Sequence, residues 1–310
     1  MNIADIAVFN KVAETLSFTR AGEIIGMNRS AVSKRIARLE NDLGVVLFNR
    51  SPRSISLTEA GNKFYNHTVT LDHTINSAAE AVHDTHQRPS GVLSFTMPTS
   101  LAASMMPMMM SEFRKNWPDL CLDVNTDERF VDIIGEGFDV AIRVAMKMSD
   151  SSLMSRRLAT TPQVLVASPE YLEQRGTPAH VRELKNHTCL TLVKRDVVWR
   201  FVGPDGPLEV PINCTTTSNN DLALVLIACL GGGVVRIPKI VVESELQSGY
   251  LTTILDDFKS PEDYGVYAIY PNRNPPAKVK VFIDFVEEQL ARLPNTDRWA
   301  PLREVARADG

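Results

Sequence analysis

Residues 19–44 read Thr-Arg-Ala-Gly-Glu-Ile-Ile-Gly-Met-Asn-Arg-Ser-Ala-Val-Ser-Lys-Arg-Ile-Ala-Arg-Leu-Glu-Asn-Asp-Leu-Gly, and their spacing predicts two short helices joined by a tight turn. In the second helix Val32, Ile36, Leu39 and Leu43 recur at intervals of four, three and four, so they line one side. At roughly 100° per residue, Ser30, Lys34, Ala37 and Arg38 fall on the opposite side, with Ser33 and Arg35 on its flanks. That outer face is small and basic, as a helix entering a DNA groove must be. The first helix turns Ala21, Ile24 and Ile25 inward and stops at Gly26, a residue suited to the left-handed position after a helix. Asn28 or Ser30 caps the second helix.

Charge around this stretch favours the same reading. From Arg20 to Arg53 there are seven Lys or Arg (Arg20, Arg29, Lys34, Arg35, Arg38, Arg50 and Arg53) against three acids (Glu23, Glu40 and Asp42), in a chain of formal net charge -4. The positive excess is local, so its polyanionic partner is expected there too. Upstream, Ile3, Ile6, Ala7, Val12, Ala13 and Leu16 follow a helical period and give a scaffold helix. Downstream, Val45 to Arg50 and Arg53 to Leu57 are short strand-like runs around Ser51-Pro52. They form a two-stranded wing, with Arg50 and Arg53 placed to touch phosphates. The predicted DNA contacts are Arg29, Ser30, Ser33, Lys34, Arg35, Arg38, Arg50 and Arg53, with Ser33 and Lys34 reaching into the major groove.

A long helix is expected over 58–86, where Phe64, Thr68, Leu71, Ile75, Ala78 and Val82 alternate spacings of four and three. This is a coiled-coil seam that a solitary helix would leave wet, so it predicts a homodimer, which suits a reader of two DNA half-sites. His83 and His86 lie three apart without a third ligand nearby and read as solvated histidines. Gln87-Arg88-Pro89-Ser90-Gly91 ends the helix and marks a hinge.

From Val92 onward strands and helices alternate, the pattern of an α/β sheet. Strands are expected at Val92–Met97, Leu120–Asn125, Asp139–Val144, Gln163–Ala167, Cys189–Leu192, Val197–Val202, Val234–Ile237 and Gly265–Tyr270. Helices are expected at Leu101–Asn116, Arg129–Gly135, Pro169–Arg175, Leu222–Leu230, Lys239–Ser248 and Ala277–Leu290. The run Met105-Met106-Pro107-Met108-Met109-Met110 reads as core packing and not as a soft-metal site. Gly231-Gly232-Gly233 follows a helix and lacks Gly-Lys-Ser/Thr, so it is a packed turn and not a phosphate loop. Cys121, Cys189, Cys214 and Cys229 show neither C-x-x-C nor regular spacing and are expected to be reduced, mostly buried thiols.

At 310 residues, with 44% hydrophobic and 23% charged, the chain holds two or three domains with ample cores. The start, Met-Asn-Ile-Ala-Asp-Ile, is not a signal peptide, and no apolar run is long enough to span a membrane, so a cytoplasmic location without membrane partners is expected. No catalytic constellation, metal or cofactor site is recognisable, and an enzyme is not expected.

Taken together, these residues resemble the LysR-type transcriptional regulators over nearly the whole chain. The specific matches are Phe9, Ala13-Glu14-Thr15, Ser17-Phe18-Thr19-Arg20-Ala21, Ala31-Val32-Ser33, Ile36, Leu39-Glu40, Leu43-Gly44, Leu47-Phe48, Arg50 and Leu57-Thr58-Glu59-Ala60-Gly61. Looser matches follow at Asp139-Val140-Ala141-Ile142-Arg143, Ala167-Ser168-Pro169-Glu170-Tyr171-Leu172, Trp199-Arg200-Phe201 and Phe282-Ile283-Asp284-Phe285. The chain departs from the family where a Gln-Pro pair is usual and Arg29-Ser30 stands, where Arg-Gln is usual and Lys34-Arg35 stands, and at Gly22, where alanine is usual.

The resemblance implies a winged helix-turn-helix DNA-binding domain (1–58, mostly α), a linker and dimerisation helix (59–88), a two-lobed α/β effector-binding domain similar to periplasmic solute-binding proteins (89–293) and a tail (294–310). It further implies a homotetramer of dimers, promoter DNA as partner and a small-molecule effector. An alternative is a solute-binding module or transporter component whose helix-turn-helix contacts protein. Thr99 and Ser100 follow the first strand of the effector half and precede a helix start, whose free amides favour an anion. With Arg143, Ser218, Asn219 and Asn220 they form the expected effector site in the cleft between the lobes, for a small organic anion such as a carboxylate.

Overall fold

A computed structural model describes residues 1–50, 55–65, 67–68, 88–148, 153–192 and 197–292. It divides into two units, one of Met1–Gln87 with Val131–Phe138 and one of Arg88–Phe130 with Asp139–Gly310. The first is a winged helix-turn-helix: α1 (Ile3–Thr15), α2 (Phe18–Ile25), α3 (Arg29–Leu43), then the antiparallel wing strands β1 (Phe48–Arg50) and β2 (Ile55–Leu57). Each helix starts on a side-chain cap, Asn2, Ser17 and Asn28 in turn, which supplies an acceptor to amides that have no partner inside the helix. The α3 cap is thus Asn28, its Oδ1 accepting from the Ala31 amide at 2.8 Å. α2 and α3 end on Gly26 and Gly44, both at φ 69.

Val32, Ile36 and Leu39 are completely buried, together with Phe9, Val12, Ala21 and Leu47. Phe9 is the hub, its ring 5.3 Å from Phe48 and 5.1 Å from Phe64. Ile24 is a correction: it is 56% exposed, because Ala21 and Ile25 already fill the inner side of α2. Gly22 fits where alanine would not, since a Cβ there would lie 2.4 Å from the Met27 carbonyl oxygen, where the turn folds back against the helix.

A further helix, α4, starts at residue 59 and is described over 59–65 and 67–68. Its first two seam positions serve the winged domain. Phe64 packs on Phe9, and buried Thr68 donates its hydroxyl to Asn10 Oδ1 (2.6 Å) while Asn10 Nδ2 donates to the Thr68 carbonyl (2.9 Å). This explains a polar residue in an apolar seam. The remaining seam residues Leu71, Ile75, Ala78 and Val82, the pair His83 and His86, wing residue Arg53 and the tail lie outside the described residues.

The second unit has two lobes. The first lobe's sheet has order β4-β3-β5-β14-β6, formed by β3 (Gly91–Met97), β4 (Leu120–Thr126), β5 (Val140–Ala145), β6 (Met154–Thr161) and β14 (Tyr264–Tyr270). The second lobe's sheet has order β11-β8-β12-β7-β13, formed by β7 (Gln163–Ala167), β8 (Cys189–Thr191), β11 (Cys214–Thr217), β12 (Val234–Pro238) and β13 (Thr252–Ile254). A hairpin of β9 (Val198–Gly203) and β10 (Gly206–Pro211) flanks it. The chain crosses between lobes twice, at Pro162 and again between β13 and β14.

The helices are α5 (Thr99–Met108), α6 (Arg114–Asn116), α7 (Pro169–Arg175), α8 (Asp221–Cys229), α9 (Lys239–Gln247) and α10 (Ala277–Arg292). Alternation on β3 and β5 sends Leu93, Phe95, Met97, Val140 and Ile142 into one core with Leu101, Met105 and Met109 and with Phe282, Ile283 and Val286 of α10. Among its described side chains the methionine run is core, with Met105 and Met109 completely buried and Met106 partly buried against the same cluster.

Three readings need correction here. The helix expected over Leu101–Asn116 is interrupted by a π-helical turn, Met109–Phe113, just after Pro107, which lacks an amide hydrogen to continue the α ladder. Arg129–Gly135 is not a helix: Asp132 Oδ1 accepts from the Gly135 amide at 2.9 Å and turns the chain, so a local side-chain bond replaces the helical one. Cys121 is exposed, on the outer edge strand β4, although Cys189 is buried. The glycine triplet is a tight turn, since a Cβ on Gly233 would stand 2.5 Å from the Thr188 carbonyl oxygen.

Candidate functional site

The outer face of α3 is a product of its inner one. With Val32, Ile36 and Leu39 pinned in the core, Arg29, Ser30, Ser33, Lys34 and Ala37 turn outward and line one shallow, open depression. Arg29, Ser30 and Lys34 are exposed and Ser33 is half-buried. Arg35 and Arg38 sit on the neighbouring side of the helix and share a partner that local spacing does not reveal, the completely buried Asp5 of α1. Arg38 Nε and Nη2 donate to Asp5 Oδ2 and Oδ1 at 2.8 and 2.6 Å, and Arg35 Nη1 donates to Oδ1 at 3.2 Å. At the wing, Glu40 Oε1 accepts from the Leu47 and Phe48 amides at 2.9 and 3.3 Å, fastening the end of α3 to β1. Arg50 closes β1 opposite Ile55.

In the second unit the N-termini of α5 and α8, one from each lobe, meet. Neither Thr99 nor Ser100 caps α5, whose cap position is Pro98 and carries no side-chain bond. Their hydroxyls reach the other lobe instead. Ser100 Oγ donates to Asp221 Oδ2 at 2.7 Å, and Thr99 Oγ1 accepts from Asn220 Nδ2 at 3.3 Å. Asn220 also caps α8 through Oδ1 to the Ala223 amide (3.0 Å), and Ser218 Oγ accepts from the Asn220 amide (3.0 Å). Asn219 is exposed at the same turn.

Two acids that the sequence reading passed over complete the cluster. Glu128 Oε1 accepts from the Thr99 amide at 3.0 Å, taking one of the helix's open donors. Glu128 and Asp221 also share a hydrogen bond. Burial and then the Asp221 charge push Glu128 up to about 7, and burial raises Asp221 as well. The pair therefore holds a proton near neutral pH. Arg143 is 2% exposed and donates to the Ile142 carbonyl (2.8 Å) and to Thr96 Oγ1 (3.1 Å). Its charge is felt by Asp127, which is lowered chiefly by its hydrogen bonds with Arg129. Thr99, Ser100 and Asn220 are thus brought together, and Arg143 lies on the strand next to β3. Among the described residues no group of three His, Cys, Asp or Glu could hold a metal, and no helix is long and apolar enough to cross a membrane.

Comparison with known proteins agrees with both halves of this geometry. Residues 3–62 match the family described as bacterial regulatory helix-turn-helix protein, lysR family, and residues 86–291 match the LysR substrate binding domain. The chain belongs to the LysR family. It is 33% identical over 292 residues to the HTH-type transcriptional activator AaeR of Escherichia coli, covering 93% of this chain and 94% of AaeR. It is 30% identical over 292 residues to the HTH-type transcriptional regulator DmlR of the same organism, with the same coverage of each chain. Among solved structures, CrgA, a LysR-type transcriptional regulator from Neisseria meningitidis, aligns with a TM-score of 0.60 at 29% identity, over 94% of this chain and 99% of that one. This LysR-type chain is a DNA-binding transcriptional regulator with a substrate-binding effector domain, and proteins of its family bind DNA and small-molecule effectors and multimerise.

Proposed function

We propose that this LysR-type regulator reads promoter DNA through Arg29, Ser30, Ser33 and Lys34 of α3, with Arg35, Arg38 and the wing residues Arg50 and Arg53 in support. Its effector is a small organic anion held where α5 and α8 meet. The observation that carries the effector reading is the cross-lobe contact of Ser100 with Asp221 and of Thr99 with Asn220, which joins two helix N-termini. At that point an oxygen of the protein's own Glu128 carboxyl group already accepts from the Thr99 amide. An effector carboxylate displaces it, taking the same donor. Arg143 contributes positive potential from the adjoining strand. Effector binding draws on contacts with both lobes and so changes how they close, which alters promoter binding. The protein works as a homodimer or homotetramer in the cytoplasm, joined through the helix beginning at residue 59.

Calorimetry on the full chain tests the effector reading, using organic acids found by thermal-shift screening and comparing Thr99→Val and Ser100→Ala with the wild type. Weaker binding in both variants supports the site. Equal affinity for the acid and for its uncharged amide analogue removes the anion.

A further inference from the structure

We propose that Asp5 of α1 is a positioning residue for DNA recognition: it aims Arg35 and Arg38 as one fixed fork and trades affinity for sequence discrimination. The inference rests on the reading that α3 enters DNA. Arg35 and Arg38 stand three apart on one helix, where like charges repel and both side chains would otherwise sweep widely. Asp5 prevents both. Its carboxylate is completely buried, while the side chains of Arg35 and Arg38 remain 34% and 55% exposed, so the cations are tied at the protein end and open toward solvent. The Arg38 contact is a parallel two-bond fork at 2.8 and 2.6 Å, the strongest geometry an arginine makes with a carboxylate.

This arrangement has two consequences. Asp5 cancels one of the two positive charges, which lowers the general attraction for phosphates. It also spends two of the Arg38 donors and one from Arg35, leaving the others in a defined direction instead of a mobile cloud. A charge that is smaller but better aimed weakens binding to arbitrary duplexes more than binding to the correct one. Asp5 touches no DNA itself, so it acts only through the two arginines.

The test is fluorescence anisotropy with full-length Asp5→Asn and Arg38→Gln, each titrated from 50 to 200 mM salt. One probe is a duplex selected by the wild type from a random pool, and the other is a random duplex of equal length. Removing the Asp5 charge should steepen the plot of log K against log salt by about 0.9, raise random-duplex affinity severalfold and cut the selected-to-random ratio by about tenfold. Arg38→Gln, with Asp5 intact, should instead lower affinity for both duplexes and lower the ratio. If Asp5 served folding alone, Asp5→Asn would reduce the active fraction and leave slope and ratio at their wild-type values; that result overturns the assignment, whatever its melting temperature. A wild type that binds neither duplex in a salt-dependent way overturns the DNA reading of α3 itself, and this inference with it.

Discussion

Replacing Glu128 with glutamine should make the protein more stable at pH 8 and change it little at pH 5. The carboxyl is pushed up to about 7 from the ordinary 4.5 by burial and by Asp221. A carboxyl whose folded value is raised contributes stability that is fully present below about 4.5 and is lost as pH climbs through about 7, because the folded chain then holds a proton the unfolded chain has released. At roughly 1.4 kcal/mol per pH unit the interval corresponds to about 3 kcal/mol, and since Glu128 is only half-buried, solvent screening reduces this to about 1–2 kcal/mol. Glutamine keeps an acceptor for the Thr99 amide and can donate to Asp221, yet never ionises. Urea unfolding followed by tryptophan fluorescence is the assay, because Trp117 and Trp199 pack in the cores of the two lobes. The Glu128→Gln midpoint should exceed the wild type's at pH 8 and nearly match it at pH 5. Parallel pH profiles for the two proteins would refute the shared-proton reasoning.

Gly22→Ala, although it restores the residue usual in the family, should lower the melting temperature of the DNA-binding half at a cost of about 1–3 kcal/mol, because the added methyl meets the Met27 carbonyl oxygen at 2.4 Å. Differential scanning calorimetry checks this, and an unchanged or higher melting point would mean the turn relaxes freely. Leu71→Glu should put a carboxylate in the apolar seam read over 58–86 and weaken association by several kcal/mol. Light scattering would show monomers at micromolar concentration, and an unchanged oligomer would take that role away from the helix.

How much of this was legible in the sequence depended on distance along the chain. Val32, Ile36 and Leu39 repeat within three turns of one helix, so a period sufficed to orient α3 and to turn Lys34 outward. Thr99 and Ser100 were legible as a pair at a helix start, but what they bond was not: Asp221 is 121 positions from Ser100, and no local pattern joins them. Asp5 escaped for the same reason, lying 33 positions from Arg38 and reading on its own as an ordinary acid in the first turn of a helix. Asp221, directly after the capping Asn220, carried a usable signal, since an acid at a helix start beside a suspected cleft is a candidate in its own right. Glu128 had no such marker, because it stands in the short gap between the strand expected to end at Asn125 and the helix expected from Arg129, and the structure makes it a bend just after β4. The seam reading was right about periodicity at Phe64 and Thr68 and wrong about what covers them, since α1 of the same chain does.

Whether the outer face of α3 binds promoter DNA is decided by a salt titration of wild-type and Lys34→Ala protein on the selected duplex. Binding by the wild type should fall steeply with salt, and Lys34→Ala should bind more weakly, with a slope shallower by about 0.9 if Lys34 meets a phosphate, or with about 1–3 kcal/mol less discrimination if it meets a base. Lys34→Ala protein with the wild type's affinity, slope and sequence preference would contradict DNA binding by that face.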